Sequence, residues 1–181
     1  MNRKETDLLI KLLIVGYSLN FLFGMLGSFF EPQSYGQMTS WMLGDSMAIF
    51  ASVLASRYIG FRGQNIAAAG YTSFGIAYGV SFASSAINAV NEEKMATIIL
   101  PLVPAVFLIS FCKIFPGWLR FGGLLICIPF FLMYKHVIQG TYKHEDLSNL
   151  FAYVGIQVLG LLWSYFMYKD NVKQKSNEKN N

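Results

Sequence analysis

The stretch "GYTSFGIAYGVSFASSAIN", residues 70–88, lies within a run of 25 residues, 66–90, that contains no charged side chain. A helix of about 20 apolar residues is long enough to cross the hydrocarbon core of a bilayer. The composition is unusual, because 11 of the 19 quoted residues are Gly, Ala, Ser or Thr. Small residues favour close packing between membrane helices rather than contact with lipid. We therefore expect this helix to lie centrally in a bundle.

The rest of the chain supplies five further hydrophobic runs. Only 13% of the 181 residues are charged, against about 25% in an ordinary soluble domain. The six predicted spans are Leu8–Phe30, Met38–Tyr58, Ile66–Val90, Met95–Phe115, Trp118–Gln139 and Leu147–Tyr168. The sequence therefore predicts an all-α membrane protein with one domain of six transmembrane helices, residues 1–168. The polar residues 169–181 are predicted to form a disordered cytoplasmic tail.

The basic residues are distributed unevenly between the two sides of this predicted bundle. Eleven of them fall on the side of the two termini, against three on the other side, namely Lys94, Lys135 and Lys143. Cytoplasmic loops of membrane proteins carry an excess of Lys and Arg. We therefore expect a multi-pass protein of the plasma (inner) membrane, in contact with lipid and with both termini in the cytoplasm. The basic residues orient the chain and do not form a groove for nucleic acid.

The third predicted helix has three faces at helical spacing. The small face comprises Thr72, Gly75, Gly79, Ala83 and Ala86. The aromatic face comprises Tyr71, Phe74, Tyr78 and Phe82. The polar face comprises Ser73, Ala77, Ser81, Ser84, Ser85 and Asn88. The small face predicts helix packing, whereas the other two fit either plain packing or a path for a small polar solute.

Other polar residues within the predicted spans have two interpretations each. Asp45 is a carboxylate well inside a predicted span, and charged residues in such positions often have a function. It could couple protons or line the mouth of a path. Alternatively, water or a neighbouring helix could accommodate it. Asn20 and Gln157 could bond between helices or line a path. His136, at the outer end of the fifth predicted helix, fits a pH-responsive mouth or a solvated loop.

Enzymatic chemistry finds little support in the sequence. It contains no HExxH, GxSxG, P-loop or histidine-box motif. His136 and His144 are eight residues apart, which is not a metal-binding spacing. We therefore expect no enzyme activity, no cofactor and no metal site.

Three segments resemble the acetate uptake transporter family (AceTr). They are "IFASVLASRYIGFRGQNIAAAGYTSFG", with its Thr-Ser-aromatic-Gly tetrad, "VFLISFCKIFPGWLRFGGLLICIPFFLM" and "FAYVGIQVLGLLWSYFMYKDN". The family's Asn-Pro-Ala-Pro-Leu-Gly-Leu signature is absent, and "LLIKLLIVGY" stands in its place. A Gly-aromatic pair does follow, Gly16-Tyr17.

The resemblance implies a homohexamer of six-helix protomers, each with its own solute path. It implies a constriction formed by Tyr17, Phe74 and Ile126, and acetate or another short monocarboxylate as the solute. Together with the polar residues described above, it gives a predicted path lined by Asn20, Ser73, Ser81, Ser84, Asn88 and Gln157. The alternatives are a urea/amide-type channel of similar size and a non-transporting accessory protein or enzyme.

Overall fold

The computed structural model describes residues 3–86, 96–97, 100–143 and 146–180, and shows only the backbone of residues 178–180. The described helices are α1 (Arg3–Gly27), α2 (Tyr35–Phe61), α3 (Asn65–Ala86), α4 (Leu102–Ile109), α5 (Gly117–Ile138) and α6 (Leu147–Asn180). Five of these six, all except α4, are long and apolar enough to cross a membrane. The structure therefore confirms an all-α, multi-span membrane protein.

The fourth predicted span, Met95–Phe115, differs from the helix that the structure describes. Helix α4 contains eight residues, Leu102–Ile109, and at 1.5 Å per residue it is about 12 Å long, well short of a bilayer core of about 30 Å. It begins after Pro101, and residues 110–115 form turns that lead to Pro116. Proline is tolerated near the start of a helix but ends a preceding one. The prolines that bound this segment therefore account for a short helix within a continuous hydrophobic run.

The helices form a closed ring. Each described helix contacts the next along the chain, and α6 returns to contact α1. Short connections make sequential helices antiparallel, as in the turn after α2, where Gly63 adopts a φ of 71°. The bundle thus has a terminal end, which carries the start of α1 and the end of α6, and a far end, which carries the end of α1 and the start of α6.

The closest helix contact to a glycine of α3 is at Gly70, which is not part of the predicted small face. A Cβ added at Gly70 would lie 2.8 Å from the backbone nitrogen of Ile109, so α3 and α4 approach each other there. Gly75 faces Ser52 of α2 at 3.3 Å, but a Cβ at Gly79 would have none of the described residues within 4 Å. Thr72, Ala83 and Ala86 are exposed. Among the described residues, the predicted small face therefore contacts α2 at Gly75 and at Thr72, whose hydroxyl lies 2.9 Å from that of Ser56.

Helix α6 continues through the segment predicted to be a disordered tail. Asp170 Oδ2 accepts hydrogen bonds from the hydroxyl of Tyr58, at 2.7 Å, and from Nε of Arg62, at 3.0 Å. Lys175 forms an ion pair with Asp7 of α1 at 2.7 Å. The polar composition of residues 169–180 is thus compatible with a helix, because its charged side chains bind partners on α1 and α2.

Candidate functional site

Aromatic side chains fill the middle of the helix ring. Trp163 of α6 packs edge-on against Tyr71 and Phe74 of α3, with both centroid separations 5.5 Å, and stacks with Phe115 at 6.5 Å. Tyr17 of α1 lies against Gly160, where a Cβ would be 2.8 Å from its ring. These five residues are at most 3% exposed, and we call them the aromatic layer.

A cavity of about 380 Å³ opens at the far end and extends inward between α1, α2, α3 and α6. Its walls include Asn20, Trp41, Asp45, Ser81, Tyr153 and Gln157. Tyr78 also lines it, and the Tyr78 ring lies 5.0 Å from that of Phe74. The Asp45 cavity, as we name it, therefore ends directly on the aromatic layer.

Asp45 is held at the inner part of this cavity by α2 and α3. Its Oδ2 accepts a hydrogen bond of 2.7 Å from the hydroxyl of Ser81, and the residue is only 8% exposed. A carboxyl in such a place needs hydrogen bonds or a compensating charge, because its transfer from water is costly. The small side chain of Ser81 leaves room for this contact between the two helices.

Two amide side chains complete the polar lining. The amide nitrogen of Asn20 donates a hydrogen bond to the carbonyl of Gly44 at 3.1 Å. Gln157 lies against Gly24 so closely that a Cβ at that glycine would overlap its amide. The Oε1 atom of Gln157 is buried and has no hydrogen-bond partner among the described residues. Because Gln157 also lines the cavity, a rotation of its amide would present this acceptor to a bound molecule.

The charged residues in the described lining of the Asp45 cavity are all acidic. Its described lining includes two carboxylates, Asp45 and Asp146, and no Lys, Arg or His. A second cavity of about 250 Å³ at the terminal end is lined instead by Arg3, Arg62 and Lys175, with polar neighbours. The charged residues of the described lining are thus acidic in the Asp45 cavity and basic in the second one, where Arg62 and Lys175 form ion pairs with Asp170 and Asp7.

The structure brings four of the predicted path-lining or coupling residues together, namely Asn20, Asp45, Ser81 and Gln157. Of the three predicted constriction residues, Tyr17 and Phe74 are in the aromatic layer. Ile126 lies elsewhere, at the contact between α5 and α6, 3.3 Å from the position of a Cβ on Gly155.

The other predicted site residues lie outside the Asp45 cavity or outside the description. Ser84 donates its hydroxyl to the Val80 carbonyl of its own helix at 2.8 Å. Ser73 is half-buried on α3 and is not among the described residues of the cavity wall. His136 Nδ1 lies 3.1 Å from the hydroxyl of Thr141. Asn88 lies outside the described residues.

The sequence reading did not single out Trp163, which is central to the aromatic layer, or Trp41 and Tyr153 in the cavity wall. Tryptophan in membrane helices is enriched at the two interfaces. Trp163 lies five residues before the end of the predicted span Leu147–Tyr168, where an interfacial role would be expected, so no feature of the sequence indicated its buried position.

Comparisons with family models, with curated proteins and with solved structures give no match to this chain. Its function must therefore be argued from the cavity and the residues around it.

Proposed function

We propose that this chain is a membrane channel or transporter for a small solute, with the Asp45 cavity as the site where the solute is taken up. The observation that carries the proposal is the depth of the cavity, which reaches from the far end to the aromatic layer. A polar cluster at that depth in a membrane protein is energetically costly and characteristic of solute paths.

The aromatic layer is the gate in this proposal. Its rings are almost fully buried and close the centre of the helix ring. Constrictions of apolar side chains prevent passage by excluding water. A shift of Phe74 or Trp163 would connect the cavity to the terminal end.

The resemblance to acetate uptake transporters supports acetate or another short monocarboxylate as the solute, and a homohexamer as the assembly. The carboxylates of Asp45 and Asp146 would repel an acetate anion. A monocarboxylate would therefore enter this cavity as the neutral acid, whose hydroxyl can donate a hydrogen bond to Asp45.

The distribution of basic residues supports an orientation with both termini in the cytoplasm of a plasma (inner) membrane. The Asp45 cavity then opens to the outside of the cell. Solute would be taken up from there.

A second candidate is a channel for a neutral amide such as urea. The acceptor Oε1 of Gln157 favours it, because an amide NH₂ group donates hydrogen bonds without adding charge. This candidate uses the same cavity and the same gate.

The test is solute flux into proteoliposomes that contain the purified protein, with acetate, urea and glycerol compared. Phe74→Ala removes a ring of the gate, and we expect it to increase flux of the transported solute. Phe131→Ala is the matched control, because Phe131 on α5 is 54% exposed and faces away from the ring centre. Liposomes without protein give the background.

An increase in acetate flux restricted to Phe74→Ala would support a monocarboxylate path, and an increase for urea alone would support the amide channel. Equal flux in protein-containing and empty liposomes, with folded protein verified by size-exclusion chromatography, would contradict transport. It would favour the non-transporting alternative, an accessory protein or an enzyme.

A further inference from the structure

Some hydrogen-bonding groups of the Asp45 cavity already have partners within the protein, and others have none among the described residues. The donors of Ser81 and Asn20 already bind Asp45 and the Gly44 carbonyl, respectively. The Oε1 acceptor of Gln157 has no partner among the described residues. Trp41 and Tyr78 also bring donor groups to this wall, so the preference for a ligand that donates hydrogen bonds comes from the carboxyl of Asp45.

The carboxyl of Asp45 adds a requirement for charge. It is 8% exposed, and no basic residue is present in the described lining of its cavity. A buried carboxyl with one side-chain hydrogen bond is stabilised further by a proton, which neutralises it, or by a bound cation, which compensates the charge of the carboxylate. Ser81 contributes a hydrogen bond but no charge.

The walls of the cavity also suit a cation. Trp41, Tyr78 and Tyr153 all line it. The faces of Trp and Tyr rings attract ammonium and guanidinium-type groups, and more strongly where water is excluded. The volume of about 380 Å³ is at the lower end of the range for ligand pockets, roughly 300–1,000 Å³, so the occupant is small.

We infer that the Asp45 cavity binds a small organic cation, an ammonium or amidinium ion, with the carboxylate of Asp45 as its counter-ion and Gln157 Oε1 as a second acceptor. This inference rests on the proposed uptake site and specifies the charge of the solute that the site accepts. It favours a solute of opposite charge to the acetate anion.

The test uses three ligands of nearly equal size and shape that differ in charge: acetamidinium, acetamide and acetate. Binding of each to the purified protein in detergent is measured by isothermal titration calorimetry. We expect acetamidinium to bind most tightly and acetate most weakly, with at least about tenfold between them, as for the loss of a close charge pair. Equal or tighter binding of acetate would overturn the inference.

The variant Asp45→Asn removes the charge and retains a side-chain oxygen that can accept from Ser81. We expect it to weaken acetamidinium binding at least about tenfold and to leave acetamide binding little changed. Glu31→Gln is the matched control, because Glu31 is an exposed carboxylate just before α2 that does not line the cavity. Unchanged acetamidinium binding by folded Asp45→Asn protein would also overturn the inference.

These outcomes separate the inference from the proposed function. Acetamidinium binding without flux of acetamidinium, acetate, urea or glycerol would retain the cation site and remove the transport proposal. Flux of acetate or urea without preference for acetamidinium would retain transport and remove the cation site.

Discussion

The hydroxyl of Ser81 on α3 donates a 2.7 Å hydrogen bond to Asp45 Oδ2 on α2. The bond joins two helices in the wall of the Asp45 cavity. It fixes the carboxyl of Asp45 and provides a hydrogen-bond donor to it at a site where both residues are largely buried. The stability of the bundle and the shape of the candidate site therefore depend on the same contact.

The first prediction concerns Ser81→Ala. The substitution leaves the buried carboxyl without this donor, and we expect the free energy of unfolding to fall by about 1–2 kcal/mol, within the range for an unsatisfied buried polar group. Ser84→Ala is the control, because Ser84 bonds to a carbonyl of its own helix and is only half-buried. We expect that change to cost less than about 0.5 kcal/mol.

Both variants are measured by reversible unfolding in mixed detergent micelles. Equal effects of the two serine substitutions would contradict a special role for the bond between Ser81 and Asp45.

The second prediction compares two glycines of α3. Gly70→Ala places a Cβ 2.8 Å from the backbone nitrogen of Ile109, so α4 must move, and we expect a loss of about 1–3 kcal/mol, typical of overpacking. The added methyl group of Gly79→Ala lies more than 4 Å from every described neighbour, and the better helix propensity of Ala predicts a gain of about 0.5–1 kcal/mol. Thermal unfolding in detergent distinguishes the two.

A larger loss for Gly79→Ala than for Gly70→Ala would contradict the packing of α3 described above. A change of oligomeric size in Gly79→Ala alone would place the exposed small face against another protomer.

The sequence predicted several features of the site because periodicity shows which residues share a helix face. Tyr71, Phe74 and Tyr78 recur at steps of three and four, and all three are buried in the structure. Asn20 and Asp45 are polar residues in apolar runs, where an exposed position in lipid would be unfavourable. Their place in one cavity follows the expectation that such residues face the interior of a bundle.

Other features depend on contacts that a single sequence does not reveal. Whether Gly70 or Gly79 makes the close approach is decided by the position of α4, which packs beside Gly70. The polar segment after Tyr168 forms a helix because Asp170 meets Tyr58, a residue 112 positions earlier. Local composition carries no information on such distant partners.

The third prediction tests this anchor of α6. Tyr58→Phe removes the hydroxyl that donates to Asp170 at 2.7 Å, and we expect the free energy of unfolding to fall by about 1.5 kcal/mol, as for a hydrogen bond to a charged group. Lys175→Ala breaks an ion pair whose two side chains are about one-third exposed, so a smaller change is expected.

The measurement is thermal unfolding combined with limited trypsin digestion of the lysine-rich end of α6. Faster cleavage at Lys173 in Tyr58→Phe than in wild type is the expected result. Identical cleavage rates and stabilities would show that the bond to Asp170 does not hold this segment.

The fourth prediction uses Gly24, which leaves space for Gln157 in the cavity wall. A Cβ at Gly24 would overlap the Gln157 amide, but that amide ends a flexible side chain and can move. We therefore expect Gly24→Ala to lower the free energy of unfolding by about 1 kcal/mol, the lower end of the range for overpacking, and to displace the Oε1 acceptor from its place. Binding of acetamidinium should weaken.

The matched variants decide whether that loss arises from Gln157. Gln157→Ala removes the acceptor outright and should weaken acetamidinium binding at least as much as Gly24→Ala. Gly122→Ala, on α5, adds a methyl group with nothing within 4 Å and should leave binding unchanged. Calorimetric titration of the three variants gives the comparison. Gly24→Ala and Gln157→Ala both act on the Oε1 atom of Gln157, so the double variant should bind acetamidinium no more weakly than Gln157→Ala alone. Additive losses of binding would mean that Gly24 affects the cavity by another route.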